Sequence, residues 1–464
     1  KAPAQKEVSI PQALELAVEH HQRGELPEAE ALYTEILRHD PKQIVAVHML
    51  GLIAHQVGKN ITAVDLISEA LKMSPDLPEA HNNLGIAFRD LGRLDEAIAS
   101  YTKAVSLKPD YADAHYNHGY ALHEQGHLEE AIQCYHRALS LEPDQVRTHN
   151  NLGYTFGALG KLEKAVTSYK DALALDPGNA VAIRNLGLTF RDLGQLENAL
   201  NTFQTVDTPE FRAHSLECLF TLGAYDRFYE TLEQSRDSYR TNLRAAAISA
   251  FASQQLDRRD PHPFCRNPLD FVRRYQTVEG ADQSDFLDDV TDHLCRMDAV
   301  WEPPGKTTKG GYQTRASLFD TPGDDLARLE QALKKQIGNY VSEFATEDCG
   351  FIQSFPKTLN LTGWFIRLVK GGHQTEHLHA SGWLSGVFYL QAPKTTNPEE
   401  GAIELGLWGY DYPILQNDYP TQRYYPEKGN LLLFPSSLFH RTIPIHSDED
   451  RLSIAFDLLP TGAL

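Results

Sequence analysis

Two different periods govern the apolar positions of this chain. In EAHNNLGIAFRDLGRLDEAIASYTKAVSLKPD, Leu84, Ala87 and Phe88 form one stripe, and Leu94, Ala97, Ile98, Tyr101, Ala104 and Val105 form a second. Both stripes have the spacing of amphipathic helices. Gly92 ends the first helix and Pro109 stops the second. The helix pair recurs, with glycines at 24, 58, 92, 126, 160 and 194 and prolines at 41, 75, 109, 143 and 177, always 34 apart. Ala29, Ala63, Ala97, Ala131, Ala165 and Ala199 keep the same step. One pair cannot bury its own apolar face, so residues 11–208 are expected to stack as six units of a superhelix. Residues 209–261 still read as helical, with Leu222-Gly223 out of phase, and suggest a capping pair and linker. From residue 262 the period disappears. DDLARLEQALKKQIGNYVSEF (324–344) reads as a helix, while LTGWFIRLV, GWLSGVFYLQAP, GAIELGLWG, GNLLLFPSS and RLSIAFDLL read as strands. The expected fold is therefore an α+β multidomain chain, an all-α superhelix followed by a β-sandwich or barrel in 262–464.

The 34-residue unit resembles the tetratricopeptide repeat, which implies a concave surface made mainly by the first helix of each unit. One column of that surface is visible as Asn83, Asn117, Asn151 and Asn185, with Met49 breaking it in the second unit. Asn carries both a donor and an acceptor and can hold a peptide main chain without reading its side chains. The column resembles the asparagine ladder of the O-GlcNAc transferase superhelix. The plain alternative is a solvated helix face.

Charge narrows the partners. Lys plus Arg number 43 against 63 Asp plus Glu, a net charge of −20 over 464 residues. Such a surface opposes nucleic acid and anionic membranes as ligands and favours a basic or neutral polypeptide. No stretch of 18 apolar residues occurs. The five cysteines (134, 218, 265, 295 and 349) are scattered and form no CxxC, which suits a reducing, cytoplasmic setting. Oligomeric state is not legible.

Candidate chemistry lies in the second half. GGHQTEHLHASGWLSG places His377 and His379 two apart, so on an extended strand both side chains would share a face. His440 in FPSSLFHRTIP, at the end of a later strand, can complete one side of a metal's coordination sphere. In RLSIAF, Arg451 and Ser453 share a face, and an Arg fork beside a hydroxyl suits a carboxylate. The combination resembles the double-stranded β-helix oxygenases that depend on Fe(II) and 2-oxoglutarate, and the resemblance covers about 262–460. It implies that His377, His379 and His440 hold Fe(II) and that Arg451 and Ser453 hold the distal carboxylate of 2-oxoglutarate. One departure stands out: His379 occupies the place of the usual Asp or Glu. It is read either as a third ligand or as a bystander beside a two-His site. His377 and His440 can also be core histidines, and Arg451 a structural ion-pair partner. Trp364, Arg367, Tyr389 and Trp408 could line a pocket, but aromatics and a charge in strands are more often core or rim, and they stay outside the site. The implied function is hydroxylation of a protein or peptide side chain, with the substrate captured by the superhelix. The alternatives are a peptide-binding scaffold with a degenerate barrel, or a small-molecule oxygenase whose repeats recruit a partner.

Overall fold

The computed structural model describes residues 9–460 except 235–240, 282, 304, 321, 396, 398, 407–408, 410–411 and 417–418. They fall into two compact units, Lys1–Thr202 and Phe203–Leu464. The first is built from antiparallel pairs: α1 (Ile10–Gln22) with α2 (Leu26–His39), α3 (Ile44–Gln56) with α4 (Asn60–Met73), and α5 (Pro78–Asp90) with α6 (Leu94–Leu107). The series continues with α7 (Ala112–Glu124), α8 (Leu128–Leu141), α9 (Val146–Ala158), α10 (Leu162–Leu175), α11 (Ala180–Asp192) and α12 (Leu196–Phe203). The periodic glycines at 24, 58, 92, 126, 160 and 194 all have φ between +70° and +88°, a conformation in which a Cβ is strained. A different glycine sets the distance within a pair. A Cβ on Gly85 would stand 2.6 Å from the Tyr101 ring, so its absence lets α5 close on α6 over that fully buried side chain.

The second unit opens with α13 (Pro209–Thr221), α14 (Tyr225–Gln234) and α15 (Leu243–Leu256). Then follow β1 (Arg273–Tyr275), α16 (Ser284–Cys295), β2 (Ala299–Trp301), β3 (Thr308–Thr314), α17 (Asp324–Glu343) and α18 (Gly350–Gln353). The remaining strands are β4 (Asn360–Gln374), β5 (Leu384–Gln391), β6 (Ile403–Gly406), β7 (Thr421–Tyr424), β8 (Leu431–Pro435), β9 (Phe439–Thr442) and β10 (Arg451–Leu459). They form a seven-stranded sheet ordered β1-β8-β5-β10-β4-β3-β2 and a three-stranded sheet ordered β7-β6-β9. Every pairing is antiparallel.

Strand alternation divides the interior. Leu452, Ile454, Phe456 and Leu458 of β10 join Phe388, Leu431 and Leu433 in a core shared with Leu294, Leu329, Leu333 and Ile337 of the helices α16 and α17. The opposite face carries Val387, Tyr389, Leu432 and Phe434, which pack with Ile403 and Leu405 of the smaller sheet. The site described below lies on that second face. The helical stretch 209–261 belongs to this same unit. Leu243 and Ala246 enter the core of the larger sheet. The fully buried Glu217 accepts hydrogen bonds from Arg244 (2.8 Å) and from Tyr412 Oη (2.6 Å) in a loop between strands.

Candidate metal centre

His377 and His379 follow β4 on an irregular segment, not on the extended strand expected for them. Backbone bonds position His377: its N–H donates to the His440 carbonyl (3.0 Å), and its carbonyl accepts from the His440 N–H (2.9 Å). His379 N–H donates to the Ser436 carbonyl, which ties the segment to the end of β8. The three imidazoles nevertheless converge. Their ring centroids lie 4.2 Å (377–440), 5.0 Å (377–379) and 5.0 Å (379–440) apart, and one nitrogen from each lies within 4.8 Å of the others.

The second nitrogen of each ring is already engaged. His377 Nδ1 donates to the Thr375 carbonyl (2.6 Å), His440 Nδ1 to the Leu438 carbonyl (3.2 Å), and His379 Nδ1 to Asp457 Oδ1 (2.6 Å). Because each Nδ1 faces an acceptor, the proton belongs there and the Nε2 lone pairs are left for a cation. Metal-binding histidines are held in this way, with the outer N–H on a carbonyl or carboxylate. Burial pushes the pKa of His377 down to about 4 and that of His440 well below the ordinary value. For His379 burial acts downward too, but the charge and hydrogen bond of Asp457 prevail and raise it.

Asp457 is the residue that sequence reading passed over. It is buried on β10, and Ser385 Oγ also donates to it (2.7 Å). A signal was available: in RLSIAFD the residues Arg451, Ser453, Ala455 and Asp457 alternate onto one face of an otherwise apolar strand. Replacing Asp457 with Asn is expected to weaken divalent metal binding about 10- to 100-fold, because the His379 tautomer and basicity lose their support. Calorimetric titration with Co(II) checks this; unchanged affinity would show that His379 is not a ligand.

Arg451 lies on that same face and is 1% exposed. Its guanidinium lies over the Tyr389 ring, 5.0 Å from the centroid, and Nη2 is 3.4 Å from Tyr389 Oη. Nε and Nη1 are buried with no partner among the described residues. Ser453, also 1% exposed, follows on the same face opposite Tyr389. Trp364 pairs with Ala455 and so shares this face, whereas Arg367 is exposed and binds Asp450 at 2.6 Å. Trp408 lies outside the described residues.

Residues 362–457 match the family described as "Putative 2OG-Fe(II) oxygenase". Residues 85–126, 119–160, 146–179 and 12–33 match tetratricopeptide repeat families. The chain carries tetratricopeptide repeats and a domain of the 2OG-Fe(II) oxygenase family. That family implies Fe(II) and 2-oxoglutarate. The residues of the matched domain fit them on their own chemistry, through three convergent imidazoles and a buried cation with two donor atoms unused among the described residues. Among solved structures, MamA is 24% identical, with 35% of this chain and 96% of that chain covered and a TM-score of 0.33. For pilF of Pseudomonas aeruginosa the values are 21%, 45%, 96% and 0.38. For a tetratricopeptide repeat protein of Parabacteroides merdae they are 14%, 52%, 96% and 0.39. Comparison with curated proteins gives no match.

The asparagine column is placed differently from the triad. Asn83 Nδ2 meets His48 Nε2 (3.1 Å), Asn117 Nδ2 donates to Asn82 Oδ1 (2.9 Å), and Asn151 Nδ2 donates to Tyr116 Oη (3.1 Å). Each bond reaches back 35 residues to the first helix of the preceding repeat. These side chains therefore link neighbouring repeats. Asn185 is half-buried on α11. Among the described residues no helix is long and apolar enough to cross a membrane.

Proposed function

We propose that the protein is a Fe(II)- and 2-oxoglutarate-dependent dioxygenase that hydroxylates a side chain of a protein or peptide. The observation that carries this reading is the orphaned Arg451 guanidinium on the strand face that also presents Asp457 to the three-His cluster. A buried cation with empty donors is costly unless an anion completes it. A dicarboxylate spanning from that cation to a metal at the histidines would satisfy both ends. In this reading His377, His379 and His440 hold the metal through Nε2. Arg451 and Ser453 hold the distal carboxylate of 2-oxoglutarate, and Tyr389 fixes the guanidinium. Fe(II) and 2-oxoglutarate, when bound, would supply reductive activation of dioxygen, with the keto acid oxidised to succinate and CO2. Asp457 returns, one hydrogen bond behind His379, negative charge that a third imidazole does not bring.

The superhelix is read as the device that brings the polypeptide. The Nδ2 atoms of Asn83, Asn117 and Asn151 are used between repeats, so any grip on a main chain falls to their Oδ1 acceptors and to neighbouring half-exposed side chains such as Ile86 and Tyr120. The five free cysteines suit a cytoplasmic setting. Incubating the full chain with Fe(II), 2-oxoglutarate, oxygen and a proteome-derived peptide library should yield succinate and peptides heavier by one oxygen. Succinate without any modified peptide would favour a small-molecule substrate. No succinate would favour a binding scaffold.

A further inference from the structure

We propose that Lys306, held over Trp364 at the three-His site, recognises a carboxylate of the substrate, so that the preferred target is an acidic side chain. The inference rests on the reading of this site as an oxygenase centre and adds the substrate class. Two observations place the cation. Its backbone neighbour Thr307 accepts a hydrogen bond from Thr375 N–H (2.9 Å), two residues before His377. Its Nζ lies 5.4 Å from the centre of the Trp364 ring. Trp364 pairs with Ala455, between Ser453 and Asp457 on the interior face of β10. Lys306 therefore stands beside the ligand cluster on the side of Asp457.

Nothing else in the site accounts for it. The charge of Asp457 is met by His379, and no ion pair to Lys306 occurs among the described residues. The side chain is exposed, so a ligand can reach it, while the half-buried indole beneath limits its positions. Arg451 is fully buried and is the natural partner for the cosubstrate. An ammonium point charge at the opening is suited to a single carboxylate presented from outside. On a chain of net charge −20, a local cation at the opening also favours the approach of an acidic group from outside.

The test uses the full chain loaded with redox-inert Zn(II) and two probes of equal shape, N-acetylaspartate N-methylamide and its asparagine counterpart. Saturation-transfer NMR at low salt reads their binding, and 2-oxoglutarate is titrated in parallel. The aspartate probe should bind about tenfold more tightly than the amide, as one charge-assisted hydrogen bond allows. The difference should vanish in Lys306→Gln and reverse in favour of a lysine probe in Lys306→Glu, with 2-oxoglutarate binding unchanged in both variants. Equal binding of the two probes to the parent, or a preference that survives in Lys306→Gln, overturns the proposal. Loss of 2-oxoglutarate binding in Lys306→Gln also overturns it, because Lys306 would then serve the cosubstrate. A parent that fails to bind 2-oxoglutarate counts against the oxygenase reading, while the two-probe comparison still decides the role of Lys306.

Discussion

Replacing Arg451 with Met should abolish useful 2-oxoglutarate binding while making the ligand-free protein more stable. The first effect follows from truncating one partner of a buried charge pair, which costs about 2–5 kcal/mol and corresponds to roughly 30- to 5,000-fold in affinity. The second follows from the state of the side chain in the free protein. Arg451 is 1% exposed, with Nε and Nη1 unpartnered among the described residues, and so bears a desolvation penalty that its contacts with Tyr389 offset only in part. Met fills similar volume along an unbranched stem without the charge. Denaturant unfolding of the free protein and calorimetric titration with 2-oxoglutarate measure the two effects. Destabilisation together with intact binding would mean that the guanidinium is structural, the alternative left open by the sequence.

Glu217→Ala should destabilise the second unit by about 3–5 kcal/mol, the range for breaking a buried charge network by removing one partner. Glu217 has no exposed surface. It accepts from Arg244 at 2.8 and 3.1 Å and from Tyr412 at 2.6 Å, and His214 Nδ1 lies 3.2 Å away. Removing it takes the buried carboxylate away from Arg244 and from the Tyr412 hydroxyl. The effect should reach the metal site, because Tyr412 packs on Phe439 (6.3 Å between ring centres), the residue before His440. Chemical denaturation followed by tryptophan fluorescence checks the magnitude. If α13–α15 were an independent cap, the unfolding of the β-sheet unit would be unmoved and Co(II) affinity unchanged.

The contrast between Glu217 and the repeat glycines shows what was legible. Gly92 and its periodic counterparts act locally, through a left-handed turn whose need for glycine can be read from spacing alone. The partners Glu217 and Tyr412 are 195 residues apart, and no period or pattern joins them. The triad lies between these cases. His377, His379 and His440 were readable from residue type and spacing, although their convergence comes from a reciprocal backbone bridge and not from strand alternation. Asp457 was hidden because one acid in an apolar strand declares its role only when His379 is folded beside it. The asparagine column was legible as a column. What its spacing did not reveal is that an offset of 35 brings the Nδ2 of Asn83, Asn117 and Asn151 to the previous repeat.

The central claim is that the three histidines and Arg451 together hold Fe(II) and 2-oxoglutarate. Anaerobic addition of both to the full chain tests it most directly. A weak visible charge-transfer band should develop in the parent. It should be absent in His440→Ala and require far more 2-oxoglutarate in Arg451→Met. No band in the parent, or the same band at the same 2-oxoglutarate concentration in both variants, would contradict the account.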